Sequence, residues 1–381
     1  MVSDEALSKL EQLSQFLDSD PGNLSLLADC AQAALEADKP ADAAVFFAKI
    51  DALEPLEAIA ANTAGIAAMR GGDQPAAQQW FARALEDNPD DTGIRFNIAW
   101  SKALGKDFDA ALETLEADVI DALPQAAMLD LQIDHELGRF DAAAAKMDTY
   151  LEKFPDYAPL QAAVSVLAMD MERLDLAREA ALKGGSHPDA LTTLATLDLG
   201  DRKLGEAREQ YAQALATRPM NPRAEIGLGL VDLAEGNTLE AAKRLDKGAD
   251  QFGDHLGTWI AAGWAHFIGG DLDAARARFE TALSHDDTFG EAHGSLAVIE
   301  LLQGEADSAE RRIEVAKRLD RDAFSTALAA MLFEQSQGNQ EKAEQIFRIA
   351  SQQPILPNGS TLMDELVKAL GGTGGTSGLN S

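Results

Sequence analysis

The chain has 381 residues, of which 46% are hydrophobic and 25% are charged, a composition typical of a folded protein and not of a disordered or fibrous one. Lys and Arg number 32 against 64 Asp and Glu, and the resulting formal net charge of −32 repels phosphate backbones and anionic lipid head groups. Neither nucleic acid nor a membrane surface is therefore an expected partner.

The amino-terminal segment is predicted to form a helix over residues 3–17. Acidic residues, Asp4 and Glu5, stand where a signal peptide needs a basic stretch followed by an apolar one. The single cysteine, Cys30, cannot form an internal disulfide, and it lies among apolar residues where a small buried side chain is expected. We therefore expect a cytoplasmic protein with a structural, unreactive cysteine.

An internal repeat begins after this segment. Each copy contains an alanine followed four residues later by a large apolar residue, and we call the first of these the anchor alanine. Successive anchor alanines are 34 residues apart in seven of nine cases, and 32 and 30 apart in the other two. The anchors are Ala43, Ala77, Ala111, Ala143, Ala177, Ala207, Ala241, Ala275, Ala309 and Ala343. A fixed period of this length is typical of a repeat protein.

Two further positions of the repeat indicate two helices that cross closely. The residue four after the anchor is large and apolar in nine of ten copies, as in Phe81 and Phe279. The residue twelve before the anchor is small in eight of ten copies, as in Gly65 and Gly263. Small residues at fixed points allow two helix backbones to approach each other. Each copy therefore predicts a pair of packed helices.

Turn residues separate the two helices of a copy. Gly-Asp or Gly-Asn pairs, such as those at Gly72 and Gly270, predict a left-handed residue that ends the first helix and a cap that begins the second. Glycines near the same place in other copies are Gly105, Gly138, Gly236, Gly304 and Gly338. Prolines end the second helices, because proline removes a donor and clashes with the preceding turn; they are Pro21, Pro55, Pro89, Pro155 and Pro219.

Residues 24–355 resemble the tetratricopeptide-repeat family, whose pattern over 34 residues is W-x2-L-G-x2-Y, then A-x3-F, then P. The copy that contains Trp259, Gly263, Ala275, Phe279 and Ala282 matches this pattern most fully, and Trp259 is assigned to the core on this basis. The family's tyrosine is absent from the first helices. The resemblance implies an all-α fold, a right-handed superhelical solenoid of about ten helix-turn-helix repeats with a capping helix at each end.

The repeat positions predict the organisation of the chain. The expected regions are an amino-terminal capping helix in 1–20, repeats 1–5 in 21–184, repeats 6–10 in 185–357, a closing helix in 358–370 and a disordered tail in 371–381. The two short spacings predict irregular joints at residues 118–124 and 184–188. The second joint, GGSHP, is the expected hinge.

No set of residues predicts an enzyme. The six histidines include no pair with the spacing of a helical zinc site, and Cys30 has no base nearby in sequence. The Gly-rich run from Gly371 lacks the lysine of a phosphate-binding loop. We expect no catalytic residue, no cofactor-binding residue and no metal site.

The remaining candidate for function is one surface. On the first helix of each repeat, the positions fifteen, eleven and eight before the anchor share one face, which we call the groove face because it lines the concave groove in the resembled family. Its candidate partner-binding residues are Phe96, Trp100, Met128, Ile260, Trp264 and Phe267. Two of the four tryptophans occupy one repeat position here, which indicates anchors for a bound segment. The alternative, that these side chains pack against the adjacent repeat, is equally supported for the tryptophans and favoured for the aliphatic positions.

The resemblance therefore implies a non-catalytic protein-interaction scaffold or adaptor that binds a peptide or a helical segment of a partner. The carboxylate clamp by which some family members hold acidic tails is not matched, because Asn62, Ile66, Phe96 and Trp100 stand at the corresponding positions. The net negative charge favours a partner with a basic or apolar segment. Two alternatives stay open, a holding chaperone for an exported or assembling client and a positioning subunit of an enzyme complex.

Overall fold

The computed structural model describes residues 4–351, and this part of the chain consists of 22 α-helices and contains no strand. The predicted closing helix and disordered tail lie outside the described residues. The helices up to residue 170 are α1 (Asp4–Ser19), α2 (Leu24–Glu36), α3 (Pro40–Leu53), α4 (Ala58–Arg70), α5 (Gln74–Glu86), α6 (Thr92–Leu104), α7 (Phe108–Thr114), α8 (Ala117–Ala122), α9 (Pro124–Glu136), α10 (Phe140–Lys153) and α11 (Ala158–Asp170). The remaining helices are α12 (Leu174–Gly184), α13 (Pro188–Gly200), α14 (Leu204–Thr217), α15 (Pro222–Ala234), α16 (Thr238–Phe252), α17 (Leu256–Ile268), α18 (Leu272–His285), α19 (Gly290–Leu302), α20 (Ala306–Leu319), α21 (Phe324–Ser336) and α22 (Gln340–Ser351).

From α2 onward the helices form ten consecutive hairpins, which we number 1 to 10. Hairpin 1 is α2 and α3, hairpin 2 is α4 and α5, and hairpin 3 has α6 as its first helix and the broken pair α7 and α8 as its second. Hairpins 4 to 10 then pair the helices in order from α9 and α10 to α21 and α22. All ten anchor alanines are buried, so the predicted repeat of helix pairs is confirmed.

The predicted close crossing of the two helices is also confirmed. A Cβ atom added to Gly65 would lie 2.5 Å from the ring of Phe81, and one added to Gly263 would lie 2.3 Å from the ring of Phe279. The small residue on the first helix thus receives the large apolar side chain of the second helix of the same hairpin. Any larger residue at these two positions would push the helices apart.

Every turn between the two helices of a hairpin contains one residue with positive φ, five positions before the anchor. Six of these residues are glycine, including Gly72 at +89° and Gly138 at +65°. The other four are Asp38, Lys106, Glu172 and Arg202. In hairpin 3 the sequence indicates Gly105 near this turn, yet Gly105 has φ −78° and the left-handed residue is Lys106. The repeat position, and not the residue type, therefore decides the turn conformation.

The second helix of hairpin 3 is interrupted. It ends at Thr114, and a short helix, α8, follows over Ala117–Ala122 before α9 begins at Pro124. The expected irregular joint at residues 118–124 is thus present. At the other short spacing, α12 ends at Gly184, Gly185 has φ +59°, and Pro188 starts α13. Whether this turn acts as a hinge stays a prediction.

The chain divides into two compact units, which separate between Leu167 and Ala168 inside α11. In the first unit, α1 packs on hairpin 1 through Leu10 and Leu17, both buried. Cys30 is buried in the same place, as predicted, and burial raises the pKa of its thiol. Among the described residues, no helix combines the length and the apolar composition needed to cross a membrane.

Buried acids occupy one further position of the repeat in five hairpins. This position, nine residues before the anchor, is the one where the resembled pattern has tyrosine. Each acid forms an ion pair with a base on a second helix, and the pairs are Asp134–Lys146 at 2.7 Å, Asp198–Arg178 at 2.9 Å, Asp232–Arg244 at 3.0 Å, Glu300–Arg312 at 2.8 Å and Glu334–Lys342. Ion pairs thus replace the tyrosine that the sequence lacks.

Candidate functional site

A cavity lies on the groove face of the first unit, where α4, α6 and the start of α9 meet. Its volume is about 480 Å³, within the range of ligand pockets of roughly 300–1,000 Å³. Apolar side chains and carboxamides share the lining, which consists of Ala58, Ile59, Asn62, Ala84, Asn88, Asp91, Gly93, Ile94, Phe96, Asn97, Leu123 and Gln125. We call this space the α6 cavity, because α6 contributes its central residues.

Gly93 and the short helix α8 help to leave this space open. Gly93 is in the first turn of α6, and its missing side chain leaves Asp91 as the nearest group to that point, 3.2 Å from an added Cβ. The interruption before α8 places Leu123 at the edge of the cavity as the residue that precedes α9. Both features are local departures from the repeat, and they coincide in hairpins 3 and 4.

Three carboxamides lie along the α6 cavity, one from each of three successive first helices. Nδ2 of Asn97 donates a hydrogen bond to Oδ1 of Asn62 over 3.2 Å. Oε1 of Gln125 is buried and has no hydrogen-bond partner within the described part of the chain. A carboxamide offers both donors and an acceptor, which matches the alternating N–H and C=O groups of an extended peptide backbone. The arrangement can therefore hold a polypeptide segment through its main chain.

Phe96 connects the α6 cavity to Trp100. Only 8% of Phe96 is exposed, and it packs with Ala99, Leu129 and Ile133 in the core of hairpins 3 and 4 while one side lines the cavity. Trp100 lies one turn further along α6, with its ring centroid 5.5 Å from that of Phe96, and 40% of it is exposed. Of the two predicted anchors on α6, Trp100 is the one that offers surface.

Two other residues complete this face. Ile59 on α4 lines the cavity and is 85% exposed, the largest exposure of any apolar side chain in the described residues. Met128 lies one turn after Gln125 on α9 and is half-buried. The sequence analysis named Met128 but missed Ile59, Asn97 and Gln125, which lie at neighbouring positions on the same helix faces. The signal was available, because Ile59 and Gln125 both stand eighteen residues before their anchors.

The charges beside the α6 cavity are acidic or already paired. Asp91 lines the cavity and accepts a hydrogen bond from the backbone N–H of Ile94, which caps α6. Arg95 points to Asp118 at 2.6 Å and Glu116 at 3.2 Å, and the hydrogen bond to Asp118 raises the pKa of its guanidinium. Arg70 pairs with Asp38 at 2.6 Å. Both cations near this face are therefore engaged, and a carboxylate clamp does not form.

The predicted residues of the second unit form a packing cluster. Ile260 is buried, and Trp264 and Phe267 are half-buried, with their ring centroids 5.1 Å apart. Trp264 also packs against Phe279 at 5.5 Å and faces Phe324 of α21 at 6.4 Å. Trp264 thus lies between the cores of two neighbouring hairpins. Trp259 is buried as predicted, and its Nε1 donates to the carbonyl of Gly253 at 2.7 Å.

Across residues 4–351 no three side chains of His, Cys, Asp or Glu lie close enough to hold a metal ion. The structure therefore offers a peptide-sized cavity flanked by exposed apolar side chains as its best-formed site.

Comparison with known proteins places these features in a family. Family models described as Tetratricopeptide repeat match residues 62–127, 192–254 and 267–332, which together span half of the chain. No curated protein matches the chain in sequence. The solved Cut9–Hcn1 structure, from an APC/C hetero-tetramer, resembles it with a TM-score of 0.56 and 15% identity over 95% of this chain and 81% of that one.

Two shorter structures resemble part of the chain. Pseudomonas aeruginosa pilF covers 56% of this chain and 96% of its own, with 16% identity and a TM-score of 0.46. PilW, described as a widely conserved type IV pilus biogenesis factor, covers 54% and 98%, with 13% identity and a TM-score of 0.47.

Proposed function

Because this chain belongs to the tetratricopeptide-repeat family, whose members are generally non-catalytic protein-interaction scaffolds, we propose that it binds an extended segment of a partner protein on the groove face of its first unit. The segment lies across the α6 cavity. The observation that carries this proposal is the row of carboxamides, Asn62, Asn97 and Gln125, beside an exposed apolar edge.

The carboxamides favour an extended segment over a helical one. A helix satisfies its own backbone groups and presents only side chains, whereas an extended segment has unpaired N–H and C=O groups. The buried Oε1 of Gln125 needs a donor, which a backbone N–H of the segment supplies. The partner's main chain therefore gives affinity here with little dependence on its sequence.

Apolar side chains supply the remaining affinity. Trp100 and Ile59 are exposed at the two sides of the cavity, and aromatic or aliphatic side chains of the partner bury against them. Trp is among the residues most often found at energetic centres of interfaces. Loss of a Trp anchor of this kind costs binding about 2 kcal/mol or more.

Charge selects the partner. The chain carries a net charge of −32, Asp91 lines the cavity, and Arg70 and Arg95 are neutralised by Asp38, Glu116 and Asp118. A segment with basic residues flanking an apolar core is therefore attracted, and an acidic tail is repelled.

The test is a quantitative pulldown from native cells with Trp100→Ala and with the pair Asn62→Ala and Asn97→Ala. We expect each variant to lose the bound partner while its circular dichroism stays unchanged. The matched control is Val45→Ala, an exposed apolar residue of the same unit on α3, which should keep the partner. Equal recovery with all three variants would reject the site. A partner that stays soluble only while the chain is present would favour the holding chaperone instead.

A further inference from the structure

A second cavity lies in the last described hairpin, between α20, α21 and α22. Its volume is about 360 Å³, and it opens to solvent beside Lys317, Arg321, Asp322, Thr326, Ala327, Ala330, Ile346 and Ile349. We call it the α21 cavity. It is remote in sequence from the α6 cavity, and the proposed function does not use it.

The packing of α21 explains why this space is open. α21 lies so close to α19 that a Cβ added to Gly294 would be 2.5 Å from Ser325 Oγ and from the backbone N of Thr326. Ser325 Oγ also donates to the carbonyl of Glu291 at 2.9 Å. On its other side α21 has Ala327 at the repeat position that Trp259 fills in hairpin 8. The side toward α20 is therefore left without a large side chain.

Two observations show that the α21 cavity is incomplete. Thr326 is only 1% exposed, and its Oγ1 has no hydrogen-bond partner among the described residues. Such a buried hydroxyl costs about 1–3 kcal/mol unless a partner satisfies it. On α22, Phe347 is 41% exposed and Ile349 55% exposed. The end of the hairpin stack thus presents apolar surface next to an unsatisfied polar group.

The rim of the cavity is basic, in a chain that is strongly acidic elsewhere. Lys317 and Arg321 both line it. Lys317 also donates to the exposed Glu314 at 3.1 Å, which leaves part of its positive charge for a second acid. An occupant with an apolar stripe and an acidic group beside it would match this lining in both shape and charge.

We propose that residues 361–370 of this same chain, TLMDELVKAL, occupy the α21 cavity. Leu362, Leu366 and Leu370 recur at the spacing of one helix face, and Met363 and Val367 widen that stripe. Asp364 and Glu365 lie on the other side of the pattern, where they would meet Lys317 and Arg321. Ten residues separate Ser351 from Thr361, and an extended chain of this length reaches about 33 Å. The segment therefore reaches the cavity without strain.

The first experiment compares hydrogen exchange in three chains. They are the full chain, a chain that ends at Gly359, and a control chain that ends at Leu370 and lacks only the Gly/Ser-rich tail. We expect the chain ending at Gly359 to exchange the amides of α21 and α22 roughly tenfold faster, and the control to match the full chain. A synthetic peptide of residues 358–370, added to the shortened chain, should restore slow exchange in the same helices. Equal exchange in all three chains would overturn the proposal.

The second experiment identifies the occupant. In a Cys30→Ala background, Ala330→Cys with Leu366→Cys should form a disulfide within one chain, seen as a faster monomer band on a non-reducing gel. The control pair, Val45→Cys with Leu366→Cys, should not crosslink. A crosslinked dimer from the first pair would show that a second copy fills the cavity, and no crosslink would show that the segment lies elsewhere; either result contradicts the proposal.

Charge reversal tests the proposed contact without removing any segment. Asp364→Lys with Glu365→Lys should speed exchange in α21 and α22, as the shorter chain does. Adding Lys317→Glu and Arg321→Glu to that variant should slow the exchange again, since opposite charges face each other once more. Failure of the second pair to restore protection would show that these groups do not meet.

Discussion

Hairpins 2 and 7 fill the same two repeat positions in opposite ways. In hairpin 2, Ala68 on α4 is buried and Trp80 on α5 packs against the apolar core around it. In hairpin 7, Asp232 on α15 is buried and its carboxylate lies 3.0 Å from Arg244 on α16. Both hairpins keep the small-to-large helix crossing and the same turn. The repeat backbone therefore accepts either an apolar contact or an ion pair at this point.

The ion pair does what the apolar contact does not, because it also connects neighbouring hairpins. Asp232 accepts a second base, Arg208 of hairpin 6, at 2.7 Å, and Arg208 reaches Glu235 at 2.8 Å. Arg178 joins hairpin 5 to hairpin 6 in the same way, through Asp198 and Asp201. A buried charge pair specifies its partner by geometry, whereas apolar side chains repack with little cost. We infer that these pairs fix which hairpin follows which in the second unit.

The largest expected effect comes from placing the acid of hairpin 7 in hairpin 2. Ala68→Asp buries a carboxylate with Trp80 and no base beside it, and we expect the free energy of unfolding of this hairpin to fall by about 3–5 kcal/mol. Hydrogen exchange of α4 and α5 measures it, with Ala48→Asp on the exposed side of α3 as the control. Adding Trp80→Arg should recover part of the loss. Unchanged protection in Ala68→Asp would mean that the position is not sealed from water.

Removing the base of hairpin 7 should have a smaller effect. Arg244→Met leaves Asp232 with Arg208 and leaves Glu225 with Lys247, so we expect a loss of about 2 kcal/mol, seen as faster exchange in α15 and α16. Asp232→Leu combined with Arg244→Met removes both charges. This double variant should be more stable than Arg244→Met alone, and the opposite order would show that the pair stabilises the hairpin beyond mere neutralisation.

Acid should separate the two kinds of hairpin further. Burial alone would raise the pKa of Asp198, but hydrogen bonds from Arg178, Gln210 and Lys203 outweigh it and lower the pKa. Burial likewise acts against the bonds from Arg278 and His266 to Asp246, whose pKa is also lowered. A lowered pKa stabilises the fold above the ordinary value of about 3.9, and this stability is lost as the pH falls through the folded value. Exchange in α13–α18 should thus rise below about pH 4 before exchange in α4 and α5 does, and a simultaneous rise would contradict this account.

The smallest effects are expected in the turns. Lys106 and Arg202 have positive φ, a conformation that costs a side-chain-bearing residue about 1 kcal/mol relative to glycine. Lys106→Gly and Arg202→Gly should each stabilise their hairpins by about 0.5–1 kcal/mol in thermal unfolding. The matched reversal, Gly72→Ala, should destabilise hairpin 2 by a similar amount. Destabilisation by Lys106→Gly would mean that its side chain makes a contact worth more than the backbone strain.

The hairpin stack was predictable because each hairpin repeats the same crossing, so one period determines the helix pairs and the anchors. The ion pairs were missed although Asp198, Asp232, Glu300 and Glu334 recur at multiples of 34, because an acid on a helix is ordinarily solvent-exposed and its base stands on a different helix. The proposed site was only partly predictable. Trp100 was recognised by its repeat position, but the cavity beside it depends on local departures at Gly93 and α8, which no repeat pattern contains.

The central claim is that a partner's extended segment lies across the α6 cavity. The most direct measurement places a photo-crosslinking amino acid at position 59 and, as a control, at position 45, and irradiates native cells. We expect one defined protein to crosslink at position 59, through a short peptide with basic residues, and this product to disappear when Trp100→Ala is added. Equal crosslinking from both positions, or a product that survives Trp100→Ala, would contradict the account.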